Sequence, residues 1–145
     1  MTLPTTGDRL TWLQWIHDSR PSILEQLKHW IVLAQTDPTN ESSALERCEL
    51  EESGIYVLIR RRTQGFHGNC LVIATVNLPE QLQNQGWLKS FLRNCCLISP
   101  WEKLIIEDVK NKILKQYCIK SGFKSLSSFY QDTFIINRTD FLSRT

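Results

Sequence analysis

The chain has 145 residues, 41% hydrophobic and 22% charged, with a formal net charge of +2. That balance excludes a disordered polyelectrolyte, and no apolar run approaches the ~20 residues that a membrane-spanning helix requires. A chain of this length can bury about 68–70% of its unfolded surface without staples, so we expect one domain over 1–145, with helices in 1–36 and a sheet-bearing core over 45–136.

The opening MTLPTTGDRL has no basic stretch followed by an apolar core, so no export signal is expected and a cytoplasmic location fits. Leu10 to Ile16, with Trp12 and Trp15, begins an amphipathic segment that Ser19-Arg20-Pro21 interrupts, because proline disfavours helical geometry in the residue before it. Ile23, Leu24, Leu27, Trp30, Ile31 and Leu33 recur at helical spacing and predict a helix over about Pro21 to Gln35. The polar cluster Asp37 to Ser43 then reads as a turn into a sheet, with strands expected at Leu45 to Glu51, Gly54 to Arg61 and Cys70 to Val76. The connections between these strands are short, which suits an antiparallel meander. Arg60, Arg61 and Arg62 close the middle strand and read as a solvated strand end, since strand side chains alternate in direction.

Leu71 to Val76 is β-branched and suited to a buried strand, and Pro79 limits its extension. Gly86 follows where a helix begins; there it lets the backbone come close to a bound group, and the amide donors of the first turn suit an anion. Leu88, Phe91, Leu92 and Cys95 mark a helix over Trp87 to Leu97, with Lys89 and Arg93 on another face. Leu104 to Ile106 predicts a short buried strand, and Asn111 to Lys120 a helix that Gly122 stops. Leu126 to Phe129 and Thr133 to Ile136 predict a closing hairpin, leaving a polar tail from Asn137. The five cysteines form no CxxC pair and the three histidines have no ligand spacing, so no metal and no disulfide framework are expected. Residues 86–124 carry eight Lys/Arg against three acids, whereas 1–85 carry seven against ten, a split that suits an anionic cofactor held by the C-terminal half.

Two windows carry a family resemblance. Gln83-Asn84-Gln85-Gly86-Trp87-Leu88, between strand and helix, resembles motif A of the GNAT acyl-CoA N-acyltransferases, a Gln/Arg-x-x-Gly-x-Gly/Ala loop; Leu88 stands where the family has its second small residue. From Lys103, KLIIEDVKNKILKQYCIKSGF resembles the later family segment, with Asn111, Gly122 and Phe123 in place. The resemblance covers roughly residues 45–136. It implies an α/β (α+β) fold with a mixed sheet: an antiparallel meander of the family's second to fourth strands, then splayed parallel fourth and fifth strands, with about four flanking helices. Residues 70–76 and 103–108 would be those parallel neighbours.

By the same resemblance the protein transfers an acetyl group from acetyl-CoA (coenzyme A) to an unidentified amine acceptor, a small molecule or a protein. Main-chain donors around Val76, Asn77 and Leu78 would meet the thioester, and Gln83, Asn84, Gln85, Gly86, Trp87, Leu88 and Lys89, with Asn111, would bind the cofactor. Many members place a tyrosine seven residues after that asparagine, where this chain has Cys118 with Tyr117 beside it; these are the candidate acids for the departing thiolate. Glu107 and Asp108 are the candidate bases. A catalytically inactive binding or inhibitory module on the same fold is the alternative, and a nucleic-acid-binding domain the third reading, without the interleaved aromatics of single-strand binders. Membrane and nucleic acid are not expected as partners, and the sequence leaves the oligomeric state open.

Overall fold

The computed structural model of the chain describes residues 3–4, 8–36, 47–62 and 67–144. The expected turn at 37–43, the start of the first expected strand at 45–46, and 63–66 in the following connection lie outside the described residues.

The N-terminal region is helical because two caps define it. The Asp8 carboxylate accepts from the Thr11 N–H at 3.1 Å and opens α1 (Arg9–Ser19), which ends where Arg20 takes the left-handed conformation ahead of Pro21. Ser22 Oγ accepts from the Glu25 N–H at 3.1 Å and α2 (Ile23–Thr36) follows, so the proline lies before the helix rather than in its first turn. Trp12 and Trp15 pack edge to face at 5.0 Å, and Leu27, Trp30 and Ile31 of α2 are buried with them in the main core.

Among the described residues six strands follow, in the order β1-β2-β3-β4-β6-β5. β1 (Arg47–Glu52), β2 (Ile55–Arg62) and β3 (Cys70–Asn77) form an antiparallel meander. α3 (Trp87–Ile98) then carries the chain to β4 (Lys103–Ile106), which pairs parallel with β3, Cys70 opposite Lys103 and Ile73 opposite Ile106. After α4 (Lys112–Lys120), β5 (Lys124–Ser125) and β6 (Phe134–Asn137) complete the sheet, and α5 (Arg138–Arg144) follows. The mixed sheet with a parallel central pair is as expected. The helix between those strands supplies the crossover that parallel pairing needs.

Alternation along β3 divides the core. Leu71 and Ile73 join the main cluster with residues of α1, α2, α3, α4 and α5, while Cys70 and Val72 face the other way and form a second, small cluster with Ile105. No helix among the described residues is long and apolar enough to cross a membrane.

Three local expectations are corrected. The polar tail from Asn137 is instead β6 running directly into α5, whose Phe141 is fully buried against Phe123 with ring centroids 5.7 Å apart. Arg138 donates to the carbonyls of Cys96 and Ser99, so α5 also caps the C-terminus of α3. The first arm of the closing hairpin is Lys124–Ser125 rather than Leu126 to Phe129, and Phe129 is 91% exposed. Finally, the triple arginine is not uniformly solvated. Arg60 and Arg62 are exposed, but Arg61 is buried and donates to the Ala34 carbonyl at 2.8 Å, near the end of α2.

Helix side chains take three main-chain groups on the outer edge of β1. Gln26, fully buried, donates to the Glu51 carbonyl at 2.7 Å and accepts from the Glu51 N–H at 3.0 Å, while Trp12 Nε1 donates to the Glu49 carbonyl at 2.9 Å. A carboxamide carries a donor and an acceptor on one carbon and so matches a peptide unit. Replacing Gln26 with alanine leaves both Glu51 main-chain groups without it, and we expect stability to fall by about 1–3 kcal/mol in urea unfolding. A shift of the midpoint too small to resolve would show that these bonds contribute nothing net.

Candidate functional site

The site is built by a register fault in β3. Against β2, the pairing runs from Arg62 opposite Cys70 to Ile59 opposite Ile73, then resumes with Leu58 opposite Thr75, leaving Ala74 as one extra residue. Such a bulge bends its strand and increases its twist. On the other side the ladder to β4 stops at the same place: Glu107 N–H donates to the Ile73 carbonyl at 3.0 Å, beyond the last register pair, Ile73 with Ile106. β3 continues along β2 to Asn77. The chain after β4 turns instead toward the opposite neighbour, Asp108 N–H donating to Thr133 Oγ1 at 3.4 Å and Val109 N–H to the Asp132 carbonyl at 2.7 Å. Asp108 makes this turn at φ 49, in the left-handed region.

Between the parting strands lies a cavity of about 340 Å³. Ile73 to Val76 form one wall, Ile106 to Asn111 the other, and Leu88 and Leu92 of α3 with Leu114 of α4 complete it. The lining is mostly apolar with main-chain groups of β3 beyond its ladder to β4, suited to a long, narrow, weakly polar ligand arm that hydrogen-bonds to a strand. Glu107 is the half-buried carboxylate in the wall, its side chain 19% exposed, with Arg60 Nη2 2.6 Å from its Oε1. Outside the wall Asp132 holds Lys115 at 2.6 Å and Lys110 at 3.3 Å, and these two ammonium groups, Lys115 first, keep its carboxyl below the usual range.

The segment from Pro79 to Lys89 lies between β3 and the first turn of α3. A 3₁₀ turn spans Glu80–Leu82, and Gln83 Nε2 donates back to the Leu78 carbonyl at 3.1 Å. Asn84 and Gly86 both have positive φ, 60 and 80, and Gly86 is the N-cap of α3. Glycine carries no steric cost there, and a Cβ built on it would meet nothing within 4 Å, so the space beside the helix start is open. No side chain caps the α3 N-terminus and no acid lies in its first turn. Lys89 is exposed beside it.

Of the residues singled out from the sequence, Val76, Leu88, Glu107 and Asn111 line the cavity, with Asp108. Asn111 has a structural task as well, its Oδ1 accepting from the N–H groups of Ile113 and Leu114 at 2.8 and 3.2 Å as the cap of α4. Asn77, Leu78, Gln83, Asn84, Gln85, Gly86, Trp87 and Lys89 are not in the lining; they connect it to the open helix start. Tyr117 and Cys118 are not in the lining either. Cys118 is fully buried in the main core, where burial pushes its thiol up to about 11, and burial likewise raises the Tyr117 phenol. Residues the sequence did not single out are Ala74 and Thr75 at the bulge and Lys110 at its rim.

No protein-family model matches the chain, and no curated protein matches it. Solved structures match in fold. The crystal structure of AtaTR bound with AcCoA aligns with a TM-score of 0.54 at 11% identity, over 76% of this chain and 79% of that one. The KacTA–DNA complex aligns at 0.51 and 12%, over 83% and 82%. With a mutant AtaT toxin bound to the C-terminus of the antitoxin AtaR, with or without acetyl-CoA, the chain spans only 60% or 63% of that protein. Bulged strand, parallel partner, divergence and crossover helix together give the chain the GNAT fold. At these identities the likeness is one of fold.

The burial of the cysteines has a direct check. All five are free and buried, and a thiol at about 11 is ionised to roughly one part in a thousand at pH 8. Native protein at pH 8 is therefore expected to take up no iodoacetamide over a period in which urea-unfolded protein labels fully, read by intact mass. Rapid native labelling at Cys118 would place that thiol at a reactive surface instead.

Proposed function

We propose that the protein is an N-acyltransferase that moves an acetyl group from acetyl-CoA to an amine. The observation that carries this reading is the divergence of β3 and β4 at Ile73 and Ile106, with a cavity between them lined in part by Leu88 in the first turn of α3, a helix whose start has no side-chain cap. The pantetheine arm fits the cavity, with main chain near Ala74 to Val76 available to the thioester carbonyl. The pyrophosphate fits the turn from Gln83 to Lys89, where first-turn amides and the positive end of α3 favour an anion. The acid-free first turn and exposed Lys89 agree with this.

An amine is protonated at neutral pH and must lose a proton before it attacks. Glu107, in the cavity wall, is our candidate acceptor of that proton. Attack forms the C–N bond and breaks the C–S bond; sulfur leaves as a thiolate, and the second nitrogen proton passes to that thiolate or to solvent. A thiol with a pKa near 8.5 leaves without a dedicated acid, so the reading does not depend on Cys118 or Tyr117. A second reading, a coenzyme-binding module without turnover, draws support from the burial of Cys118 at the family's acid position. Among the matched folds, the AtaT–AtaR complex and KacTA occur bound to DNA, so the acceptor panel should include a nucleic-acid-borne amine.

The test separates loop from backbone. Asparagine tolerates positive φ far better than valine, so Gly86→Asn keeps the turn while filling the open space beside the helix start. We expect calorimetry to find acetyl-CoA bound by wild type and weakened about tenfold or more, ~1.4 kcal/mol, in Gly86→Asn. Lys89→Ala should weaken binding at low salt and little at high salt, because an exposed charge is screened. Absence of binding by folded wild type would end the acyltransfer reading; binding without turnover on any amine would leave the non-catalytic module.

A further inference from the structure

We propose that α4 and the turn between β5 and β6 form a peripheral contact with an anionic lipid surface, in which Phe129 and Tyr130 enter the headgroup boundary while the lysines around them meet lipid phosphates. The inference goes beyond the acyltransfer reading and does not rest on it. Residues 111–131 contain four lysines and no acid. The same stretch holds four of the eight large hydrophobic side chains exposed among the described residues: Ile113, Ile119, Phe129 and Tyr130, at 68, 62, 91 and 62%. The other four are spread from Leu3 to Leu97, and apolar side chains exposed singly are normal. A cluster of them is a contact site.

The stretch folds into one side of the molecule. On α4, Leu114, Tyr117 and Cys118 turn inward; with about 100° between successive residues, the outward arc holds Lys112, Gln116 and Ile119, flanked by Ile113, Lys115 and Lys120. Lys115 reaches Asp132 at 2.6 Å, which sets the β5–β6 turn beside that arc. Within the turn, the Tyr130 N–H donates to the Ser127 carbonyl and hydroxyl at 3.2 and 3.3 Å, and Ser125 Oγ donates to the Gln131 carbonyl at 3.1 Å. A closed, hydrogen-bonded turn therefore holds Phe129 outward.

The chemistry of the surface selects lipid over protein. Lysine is depleted at the centres of protein interfaces, where its charge is stranded, whereas at a bilayer its stem lies along apolar surface and its ammonium reaches the phosphates. Apolar and aromatic side chains set among lysines suit an interfacial contact, which buries them about 5–10 Å into the headgroup and acyl boundary. Lys112, Lys120 and Lys124 are exposed and have no ion pair among the described residues. Each lysine brought near an anionic leaflet strengthens partition about fivefold. Such a contact needs no spanning helix, which is all that the lack of a long apolar run excludes.

The probe is co-sedimentation with large unilamellar vesicles of phosphatidylcholine, alone or with roughly one-third phosphatidylglycerol. Wild type should partition tenfold or more better onto the mixed vesicles, and high salt should remove most of that preference by screening. Phe129→Ser leaves the hydrogen bonds of the turn in place; it should lower partition onto mixed vesicles fivefold or more, with circular dichroism unchanged and acetyl-CoA affinity within twofold. The double change Lys112→Glu and Lys120→Glu should abolish the preference for anionic lipid. Phe129→Trp should keep binding and add a blue-shifted emission that lipids brominated in the acyl chain quench, a signature that adhesion by charge alone does not give. Folded wild type that fails to sediment with the mixed vesicles, or sedimentation that Phe129→Ser leaves undiminished, would overturn the inference. So would self-association without vesicles, or binding of bulk tRNA, that Phe129→Ser abolishes, because the surface would then belong to a second copy or to a nucleic acid. Acetyl-CoA binding is measured without vesicles, so this inference and the acyltransfer reading can fail separately.

Discussion

The architecture depends on one main-chain misfit. A single extra residue in β3, Ala74, makes the strand satisfy β2 on one side while releasing β4 on the other. Had the parallel ladder continued to Asn77, the space between β3 and the chain after β4 would be filled by hydrogen bonds, and the sheet would have no opening in its middle. Main-chain groups freed in this way must be met by something, because buried peptide groups are seldom left unpaired. A ligand that offers amide groups along its length fulfils that requirement, so one feature creates the cavity and also a demand for what enters it.

Keeping two strands apart requires support on both sides. The β3 side is held by α3, whose Phe91, Leu92, Cys95 and Cys96 are buried, and whose far end is fastened by Arg138 of α5. The β4 side is held by the segment before β6, through Val109 and Asp108, with Asp132 drawing Lys110 and Lys115 onto the same corner. These supports involve residues distant in sequence, which is why the opening is a property of the fold rather than of a local motif. The left-handed conformation of Asp108 costs about 1–2 kcal/mol for most residues and less for aspartate, and is sustained by those two bonds.

Elements with long, consistent patterns were legible in the sequence. The β-branched run at Leu71 to Val76 and the Leu104 to Ile106 run became the parallel pair, and Gly86 was recognisable as the residue at which a helix begins. What escaped was encoded by single contacts. α5 has seven residues and only Phe141 and Leu142 to bury, too short to show a period, and it exists because β6 delivers Phe141 to the core. Ala74 gives no signal, since neither its size nor its neighbours distinguish a bulge from a regular strand. Cys118 was correctly placed on a helix, but its direction depends on how α4 packs, and spacing from Asn111 alone does not specify that. Arg61 reads as a surface charge until a helix end is found to lie above it.

The partly occupied edge of β1 bears on how this chain meets other chains. An open strand edge presents a row of donors and acceptors that invites another molecule to extend the sheet, in ordered assembly or in aggregation. At β1 the Glu49 carbonyl and both main-chain groups of Glu51 are already taken by Trp12 and Gln26, and at the opposite end of the sheet β5 offers two residues, too few to template a partner. Sheet-to-sheet polymerisation is thereby discouraged at both ends, and association with another protein is steered toward side-chain surfaces rather than a shared ladder.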